Sequence, residues 1–301
     1  MTRKPTFVRK GRFLMEGGYD MDREYQSRIA YTKDLINKAD YIVIGAGAGL
    51  SAAAGIQYGG QRFTDNFAPF IEKYGLTDMY SSGFYPFPTE EERWAYWAKH
   101  ISLNRYEVGP TKLYENLFQL VKKANYFVIT TNVDSQFELA GFPLENIFEV
   151  QGNYGYLQCA KGCHDSLYDN KLLVNEMIAN MENCRIHSNL VPKCSECGGE
   201  MDPHLRINQY FVQNEAWNNS NDAYEGFINE SKGKNLLLLE FGVGFNTPGI
   251  IRYSFEQMTY QNEHTKLIRF NMDHPNGPKE NREKTIAFTE DILPVLLELN
   301  K

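Results

Sequence analysis

The sequence has 301 residues, of which 42% are hydrophobic and 23% charged, and its formal net charge is −7. A folded chain of this length buries roughly 75% of the surface that its unfolded form exposes, so we expect one large core, alone or with a smaller domain, and not a disordered chain. The acidic excess, without any block of like charge, argues against nucleic acid and anionic membrane surfaces as partners.

The N-terminal segment, residues 1–28, begins with basic residues and lacks an apolar run long enough for the core of a signal peptide. We therefore expect a cytoplasmic protein. Residues 41–61 are uncharged, but their glycines and small polar residues predict a strand, a turn and a helix start, not a membrane span. The sequence leaves open whether residues 1–28 form a cap over a site or an N-terminal extension.

Apolar runs of strand length recur along the chain, and each is followed by small or polar residues. The runs comprise residues 41–44, 126–129, 147–150, 236–239 and 267–270. Amphipathic helical segments lie between some of them, such as the one with Leu113, Leu117 and Leu120. This alternation predicts an α/β fold: a Rossmann-like parallel sheet with helices on both faces, formed by residues 29–155 and 211–301, with ligands at the carboxyl ends of the strands.

Two regions interrupt the alternation. Residues 61–105 are rich in Phe, Tyr, Pro and Gly and then place Trp94 and Trp97 at helical spacing, which predicts a helical lid beside the sheet. Residues 156–210 hold four of the five cysteines among polar residues, and only residues 172–174 suggest a strand there. This second region is predicted to be a small inserted module.

A glycine-rich loop follows the first predicted strand. Residues 45–56 contain the pattern G-x-G-x-x-A at Gly47, Gly49 and Ala52. Glycines let backbone N–H groups approach a pyrophosphate closely, and the helix that follows directs its positive end to the same place. A nucleotide is the natural ligand of such a loop; the alternative is a tight strand-to-helix turn without a ligand.

Several familiar nucleotide and hydrolase motifs do not fit this loop. Gly55 and Gly60 have Walker-A spacing, but residues 61–62 are Gln-Arg where Lys-Ser/Thr is required. The segment around Ser51 approximates a nucleophile elbow, although this serine can equally contact a phosphate. A dehydrogenase needs a second strand ending in an acid about 20 residues on, whereas residues 58–63 resemble a mobile flap.

The cysteines form two closely spaced pairs. Cys159 and Cys163 have C-x₃-C spacing, and Cys194 and Cys197 have C-x₂-C spacing. Four thiolates on two such knuckles can close a tetrahedral shell around zinc, and a closed shell leaves no position for catalysis. We therefore predict a structural zinc site; the alternative is reduced cysteines in a small core, where Cys184 is also expected.

Polar residues follow the second and third strands of the predicted sheet. Residues 131–134 read Thr-Asn-Val-Asp, and residues 151–153 read Gln-Gly-Asn, shortly before Cys159. Together with the glycine loop and the cysteine pairs, this order resembles the sirtuins, the Sir2 family. The family's G-A-G-x-S corresponds to residues 47–51, its Q-N-x-D to residues 131–134 and its H-G to residues 151–152. Further similarity lies in residues 194–199, in the turn at residues 242–244 and in Asn271.

This resemblance implies an enzyme that consumes NAD, expels nicotinamide and leaves an electrophilic ribose carbon. It implies catalytic roles for Asn132 beside the nicotinamide ribose, for Asp134 beside the carboxamide and for Gln151. The contacts with NAD that the resemblance implies are made by Gly47, Ala48, Gly49, Ser51, Ile56, Gln57, Arg62, Phe63, Asn132, Asp134, Gln151, Gly242, Val243 and Asn271. An Asx turn that merely ends the strand is the alternative for Asn132 and Asp134.

Two positions depart from the family pattern. The family's G-I-P-D-F-R is replaced by residues 55–63, in which Arg62 and Phe63 stand in a different frame. The second departure is Gln151, which stands where a histidine normally acts as general base during deacylation. A carboxamide has no pKa near neutrality and cannot take that proton.

The glutamine makes the chain resemble the class M, macrodomain-linked sirtuins. For that group the resemblance implies transfer of ADP-ribose to a protein, a lipoylated carrier resembling the glycine-cleavage H protein, with a macrodomain hydrolase that reverses the mark. Two alternatives stay open: an NAD-dependent protein deacylase that manages without the histidine, and a non-catalytic module that binds NAD or ADP-ribose.

Overall fold

The computed structural model describes the backbone of residues 13–301 and the side chains of residues 23–301. Its main element is a six-stranded sheet in which every neighbouring pair is parallel. The strands of the chain are β1 Tyr41–Ala46, β2 Tyr126–Thr130, β3 Ile147–Glu149, β4 Gly152–Cys159, β5 Tyr168–Asp169, β6 Met201–Leu205, β7 Leu236–Phe241, β8 Thr265–Phe270 and β9 Thr285–Phe288. The predicted Rossmann-like parallel sheet is confirmed.

Helices connect these strands and cover the sheet. The α-helices of the described chain are α1 Phe13–Lys38, α2 Ala48–Ala53, α3 Gly60–Tyr74, α4 Met79–Ser82, α5 Glu90–Ile101, α6 Lys112–Val121, α7 Gln136–Leu139, α8 Lys171–Ala179, α9 Glu215–Glu230, α10 Arg252–Gln261 and α11 Ile292–Leu299. A π-helical turn, Ser102–Tyr106, extends α5, and short 3₁₀ turns span Leu144–Asn146, Ser188–Leu190 and Lys279–Lys284. Within residues 13–301, no helix combines the length and the hydrophobicity needed to cross a membrane.

The strand order of the main sheet is β3-β2-β1-β7-β8-β9. The chain leaves β1 toward one edge and later returns at β7 toward the other, so the order reverses between these two neighbours. Loops that follow β1 and β7 diverge at this point and open a crevice at the carboxyl edge, which is where open α/β sheets bind their ligands.

The central strands β1, β2 and β7 are buried on both faces, which is why they are almost entirely apolar. One core holds Ile42 and Ile44 with residues of α6 and α11, among them Leu117 and Val295. The opposite core holds Val43 with residues of α10, such as Phe255. Alternate side chains of β1 thus enter different cores, and both need apolar partners.

The segment between α2 and α6 is mostly helical from Gly60 to Tyr106, with irregular stretches at residues 75–78 and 83–89. Thr89 caps the N-terminus of helix α5: its hydroxyl accepts from the N–H of Glu92 (3.3 Å) and donates to the carboxylate of Glu92 (3.1 Å). Trp94 and Trp97, predicted to share a face, are both buried. They join a core that also contains Val174 and Met177 of α8, so the lid and the cysteine-containing module pack into one unit.

The module has a three-stranded antiparallel sheet in the order β5-β4-β6. Its longest strand, β4, begins at Gly152, so the predicted boundary at residue 156 falls inside a strand. The strand suggested at residues 172–174 is wrong: those residues belong to helix α8, which is nine residues long and packs its Val174 inward. A short apolar run does not distinguish a strand from a buried helix turn.

The predicted boundary at residue 28 also falls inside a regular element, because α1 continues to Lys38. Arg28 of this helix donates two hydrogen bonds to Glu290 and one to the carbonyl of Ala287 (2.9 Å), and Ile29 lies in the core. Residues 23–38 therefore pack against the sheet domain. Residues 1–12, part of the predicted extension or cap, lie outside the described chain.

Candidate active site at the carboxyl edge of the sheet

Two glycine turns meet at the crevice between β1 and β7. The N–H of Gly47 donates to the carbonyl of Phe241 (2.9 Å), and the N–H of Gly49 donates to the carbonyl of Gly242 (2.9 Å). A Cβ on Gly49 would lie 2.7 Å from the Cα of Gly242, and Gly242 itself has φ +57°. The two backbones are in direct contact, so only glycine fits at these positions.

A buried polar cluster lies behind the glycine loop and joins three elements. The Ser51 hydroxyl of α2 donates to the Asp134 carboxylate (2.5 Å), and Ser51 Oγ lies 2.7 Å from the Tyr114 hydroxyl of α6. The Asn132 side-chain N–H₂ lies within hydrogen-bond distance of the Gly47 carbonyl (3.0 Å), Ser51 Oγ (3.1 Å) and the Tyr114 hydroxyl (3.2 Å). The amide nitrogen of Asn132 is thus held inward, which leaves its Oδ1 as the atom that can accept from a ligand.

Asp134 is held by donors on both carboxylate oxygens. Besides the Ser51 bond to Oδ2, the N–H of Gln136 donates to Oδ1 (3.1 Å). Burial raises the pKa of Asp134, while these two donors favour the ionised form. The N–H bond from Gln136 is the contact expected if Asp134 only forms an Asx turn that ends the strand. The bonds with Ser51 and Tyr114 are additional, and they connect Asn132 and Asp134 to the glycine loop.

Gln151 lies between β3 and β4 and is half-buried. Its carbonyl accepts from the N–H of Arg206 (3.0 Å), whereas its side-chain amide makes no hydrogen bond within the described residues. The following residue, Gly152, has φ +93°, and a Cβ there would lie 2.0 Å from the carbonyl oxygen of His204. This turn fixes the backbone of Gln151 at the carboxyl edge while its side chain stays available.

A carboxyl group that sequence reasoning did not single out lies beside this turn. Glu149, the last residue of β3, accepts from Asn153 and from the hydroxyl of Ser135 (3.3 Å). Burial raises the pKa of Glu149 to about 7, although the bond from Asn153 opposes that rise. Ser135 has φ +58°, an uncommon conformation for a residue with a side chain. The turn that carries Gln151 thus lies beside a carboxyl group whose pKa is raised toward neutrality.

The predicted flap is more ordered than its sequence indicates, since residues from Gly60 onward belong to α3. The Arg62 guanidinium donates to the carbonyl of Gln57 (3.0 Å), to Asn104 Oδ1 (2.8 Å) and to the carbonyl of Leu103 (3.0 Å). Arg62 thus fastens the segment after the glycine loop to the lid.

Ile56 precedes that segment and Phe63 follows Arg62 along the chain, and the side chains of both are buried. The N–H of Ile56 donates to the carbonyl of Ser51 (2.8 Å). Phe63 stacks on Phe67 at a centroid distance of 5.3 Å, inside the core shared by the lid and the module. The position of Phe63 is therefore that of a core residue.

The far side of the crevice carries the two remaining predicted contacts. The Asn271 side chain follows β8 and donates to the carbonyl of Val243 (2.9 Å), and its Oδ1 accepts from the N–H of His274 (2.9 Å). The structure therefore brings the residues after β1, β7 and β8 together at one edge. Ala48 begins α2 in the same crevice.

The four paired cysteines converge at the end of the module. Their sulfur atoms all lie within 4.8 Å of one another, with Cys159 Sγ 3.7 Å from Cys197 Sγ and Cys163 Sγ 3.6 Å from Cys194 Sγ. A tetrahedral site with zinc–sulfur bonds of about 2.3 Å requires sulfur–sulfur separations of about 3.8 Å. The donor set and its spacing fit zinc, and Cys184 is not part of the cluster.

Tyr114 is the contact that sequence reasoning missed most clearly. It lies on the apolar face of α6 next to Leu113 and Leu117, where an aromatic residue is expected to be plain core. The only sequence signal was its hydroxyl, which needs a partner when it is buried. That partner is Ser51, which is far from Tyr114 along the chain.

The strand order, the two glycine turns and the polar strand ends define a nucleotide-binding protein of Rossmann type. The model of the Sir2 family matches residues 47–225, more than half of the chain. The chain therefore belongs to the Sir2 family, the sirtuins, which are NAD-dependent enzymes.

Two relatives are identical to the chain at about a third of the aligned positions. A protein ADP-ribosyltransferase of Staphylococcus aureus (strain Mu50 / ATCC 700699) is 34% identical over 258 residues, which cover 85% of this chain and 82% of that protein. A probable bifunctional ADP-ribose hydrolase/ADP-ribosyltransferase of Fusarium oxysporum f. sp. cubense is 33% identical over 261 residues, covering 82% of this chain and 43% of the relative. An NAD-dependent protein deacetylase of Clostridium perfringens (strain 13 / Type A) is 28% identical over 59% of this chain and 66% of that protein.

Solved structures support the same fold. A Sir2 homolog–NAD complex superposes with a TM-score of 0.56 at 16% identity and covers 90% of this chain and 92% of that one. Sir2Tm bound to a propionylated peptide superposes with a TM-score of 0.54 at 20% identity, covering 89% of this chain and 95% of that one.

Proposed function

We propose that the chain is an NAD-dependent protein ADP-ribosyltransferase, with Asn132, Asp134 and Gln151 as its catalytic residues. The observation that carries the proposal is Gln151 at the turn between β3 and β4, in a site otherwise equipped like that of a sirtuin. Two relatives with ADP-ribosyltransferase in their names support it. A carboxamide can hydrogen-bond a ribose hydroxyl but cannot accept its proton, so nicotinamide release proceeds while base-dependent deacylation does not.

The reaction needs little beyond positioning. The bond between the ribose C1′ and the nicotinamide nitrogen breaks, and nicotinamide leaves with the electron pair. Asn132 Oδ1 and the Gln151 carboxamide hold the ribose hydroxyls, and the ionised Asp134 nearby stabilises the positive charge that develops on the ribose. A nucleophilic side chain of the acceptor protein then bonds to C1′ and loses its proton to solvent.

The polar cluster behind the glycine loop pre-organises these groups. Tyr114 and Ser51 hold Asn132 and Asp134 in fixed positions without contacting the reacting atoms. The phosphates of NAD lie beside the two glycine turns, where no side chain blocks their approach. We assign the remaining contacts with NAD to residues 47–51, 56–57, 242–243 and Asn271, and the zinc to the four paired cysteines as a structural ion.

We further propose that the acceptor is a lipoylated carrier protein resembling the glycine-cleavage H protein and that the reaction takes place in the cytoplasm. The choice of carrier follows from the resemblance to class M sirtuins. The Fusarium relative bears both a hydrolase and a transferase name, which supports a functional link to a macrodomain hydrolase that removes the mark.

The test is an intact-mass measurement after incubation with NAD and a lipoylated carrier. We expect an increment of one ADP-ribose with the wild-type chain and a rate at least about a hundredfold lower with Asn132→Ala, which removes a ribose contact. Asn132 lies in a buried cluster, so the folding of the variant is checked by circular dichroism. The absence of any increment across several carriers, lipoylated and unmodified, contradicts the proposal.

A second candidate is an NAD-dependent deacylase, which the Glu149 carboxyl favours because its pKa of about 7 suits a general base. The two functions are separated by Gln151→His, with the exposed Gln261→His as matched control. Under our proposal the wild type and the control release no acyl group from acyl-lysine peptides, and deacylation appears only with Gln151→His. Efficient deacylation by the wild type, lost in Glu149→Gln, establishes the alternative.

A further inference from the structure

A second polar cluster lies between the turn that carries Asp134 and the turn that carries Gln151, and it consists of the side chains of Ser135, Glu149 and Asn153. Ser135 directly follows Asp134, whereas Glu149 and Asn153 stand two residues before and two residues after Gln151. The Asn153 side-chain N–H₂ donates to Ser135 Oγ (2.7 Å) and to Glu149 Oε2, and the Ser135 hydroxyl donates to Glu149 Oε1 (3.3 Å). The cluster thus joins the turns of two proposed catalytic groups.

The direction of these bonds follows from a backbone donor. The N–H of Gly155 donates to Asn153 Oδ1 (2.7 Å), so the opposite side of this amide, which faces Ser135 and Glu149, is its N–H₂. Ser135 Oγ accepts from that N–H₂, and its own proton points at Glu149 Oε1. Each oxygen of Glu149 therefore accepts from a different partner, which a carboxylate can do and the isosteric carboxamide of glutamine, with one oxygen, cannot.

Ser135 has a backbone conformation that needs such support. Its φ of +58° and ψ of +25° lie in the left-handed region, which is unfavourable for any residue with a Cβ. This conformation turns the chain after Asp134 so that helix α7 begins at Gln136, whose N–H donates to Asp134 Oδ1 (3.1 Å). Relaxation of Ser135 into another conformation would therefore move a donor away from the Asp134 carboxylate.

The turn of Gln151 is attached to the same part of the chain by its backbone. The N–H of Val150 donates to the carbonyl of Thr130 (3.0 Å), and the N–H of Tyr154 donates to the carbonyl of Val133 (2.9 Å). Both ends of the Gln151 turn are thus bonded to β2 and to the segment that follows it. The side-chain cluster adds further bonds along this attachment, so a shift of one turn is transmitted to the other.

We propose that Glu149 is a positioning residue for the release of nicotinamide. Its carboxylate holds Ser135 in the left-handed conformation through the bonds from Ser135 and Asn153. It thereby keeps the turns of Asp134 and Gln151 in their relative places. This inference rests on the proposed function, since it concerns the same reaction site. Glu149 transfers no proton in this role, because donors of the protein occupy both of its oxygens.

The test compares Ser135→Ala with Ser135→Gly by the steady-state release of nicotinamide from NAD. Both changes remove the hydroxyl, but glycine adopts the left-handed conformation readily whereas alanine does not. We expect kcat of Ser135→Ala to be about five- to thirtyfold below that of Ser135→Gly, the factor that matches the cost of a left-handed alanine, because its competent conformation is depopulated.

The KM for NAD changes less than kcat in these variants, since the glycine turns are unaltered. The matched control is Ser27→Ala on helix α1. The Ser27 side chain is exposed and its hydroxyl donates to the carbonyl of Arg23 in the same helix, so kcat of this variant stays at the wild-type value. Circular dichroism checks the folding of each variant.

A second pair of variants tests whether Glu149 provides the support. In Glu149→Gln one of the two donors loses its acceptor, and kcat falls by about tenfold, the factor of one hydrogen bond to a charged group. Adding Ser135→Gly to Glu149→Gln raises kcat again by about fivefold or more, because glycine keeps the left-handed conformation without the bond. A general base lost from residue 149 is not restored by a change at residue 135, and a role in stability alone does not raise kcat either.

Urea unfolding gives the same comparison without turnover. We expect Ser135→Gly to change the urea midpoint more favourably in the Glu149→Gln background than in the wild type, where the same change also removes an intact hydrogen bond. This measurement decides the inference for variants that release too little nicotinamide to be compared.

Equal kcat in Ser135→Ala and Ser135→Gly, no gain in kcat from Ser135→Gly in the Glu149→Gln background, or equal changes of the midpoint in both backgrounds overturns the inference. The result is separable from the test of the proposed function. Coupling between residues 135 and 149 without any ADP-ribose transfer refutes the function alone, whereas transfer by a chain that lacks this coupling refutes the inference alone.

Discussion

The contact between the two glycine turns gives a quantitative prediction for Gly242→Ala. A residue with a Cβ at φ +57° pays about 1–2 kcal/mol for the left-handed conformation. The added Cβ also lies 2.4 Å from the carbonyl carbon of Gly49 and from the nitrogen of Leu50, both backbone atoms that cannot rotate away. Forcing such a contact apart costs about another 1–3 kcal/mol, so the free energy of unfolding falls by about 2–5 kcal/mol.

The matched control is Gly233→Ala. Gly233 has φ +76° but nothing within 4 Å of its added Cβ, so it carries the conformational penalty of about 1–2 kcal/mol without the clash. Urea unfolding compares the two variants. Because the glycine loop must move in Gly242→Ala, kcat/KM for nicotinamide release from NAD falls by about a hundredfold, whereas Gly233→Ala keeps the wild-type value. Equal losses of stability in both variants, with kcat/KM unchanged, refute the close approach of the two turns.

Three further predictions concern the carboxyl near neutrality, the cysteines and the buried tyrosine. The pKa of Glu149 rises from 4.5 to about 7 on folding, so between these pH values the folded chain binds one proton more than the unfolded chain, and stability falls as the pH increases. In Glu149→Gln the urea midpoint should depend less on pH between 4.5 and 7 than in the wild type. An unchanged pH dependence contradicts this. We expect metal analysis to find one zinc per chain in the wild type and in Cys184→Ser, and none in Cys194→Ser. The thermal midpoint of Cys194→Ser is also lower. Zinc retained in Cys194→Ser counts against the site. Tyr114→Phe leaves Ser51 with one hydrogen bond fewer in a buried cluster. The free energy of unfolding, measured in urea, therefore falls by about 1–3 kcal/mol. A loss below about 0.5 kcal/mol contradicts the role assigned to the hydroxyl.

Most of the sheet was predictable because its signals are local. The apolar runs that begin at Tyr41, Tyr126, Ile147 and Leu236 are all strands, since a strand buried on both faces must be apolar throughout. The strand Thr285–Phe288 was missed: it is short, lies at the edge of the sheet and is only partly buried, so it has no strong apolar signal.

Only part of the candidate site could be predicted from the sequence. Glycine spacing, paired cysteines and polar residues at strand ends are patterns of neighbouring residues, and they placed Asn132, Asp134 and Gln151 at one edge before the fold was known. Glu149 could not be predicted in this way, because its raised pKa depends on burial and on Asn153 and not on its position in a motif.

The sequence by itself determined the parallel sheet, the glycine loop, the cysteine set and the absence of a histidine at residue 151, because each is read from a short segment. Only the tertiary structure decided that Ser51, Tyr114 and Asp134 share one cluster and that Tyr58, Tyr154 and His100 are hydrogen-bonded in series. These contacts join residues from separate elements, and their hydrogen-bond directions depend on which partners packing brings within 3 Å, which no single segment encodes.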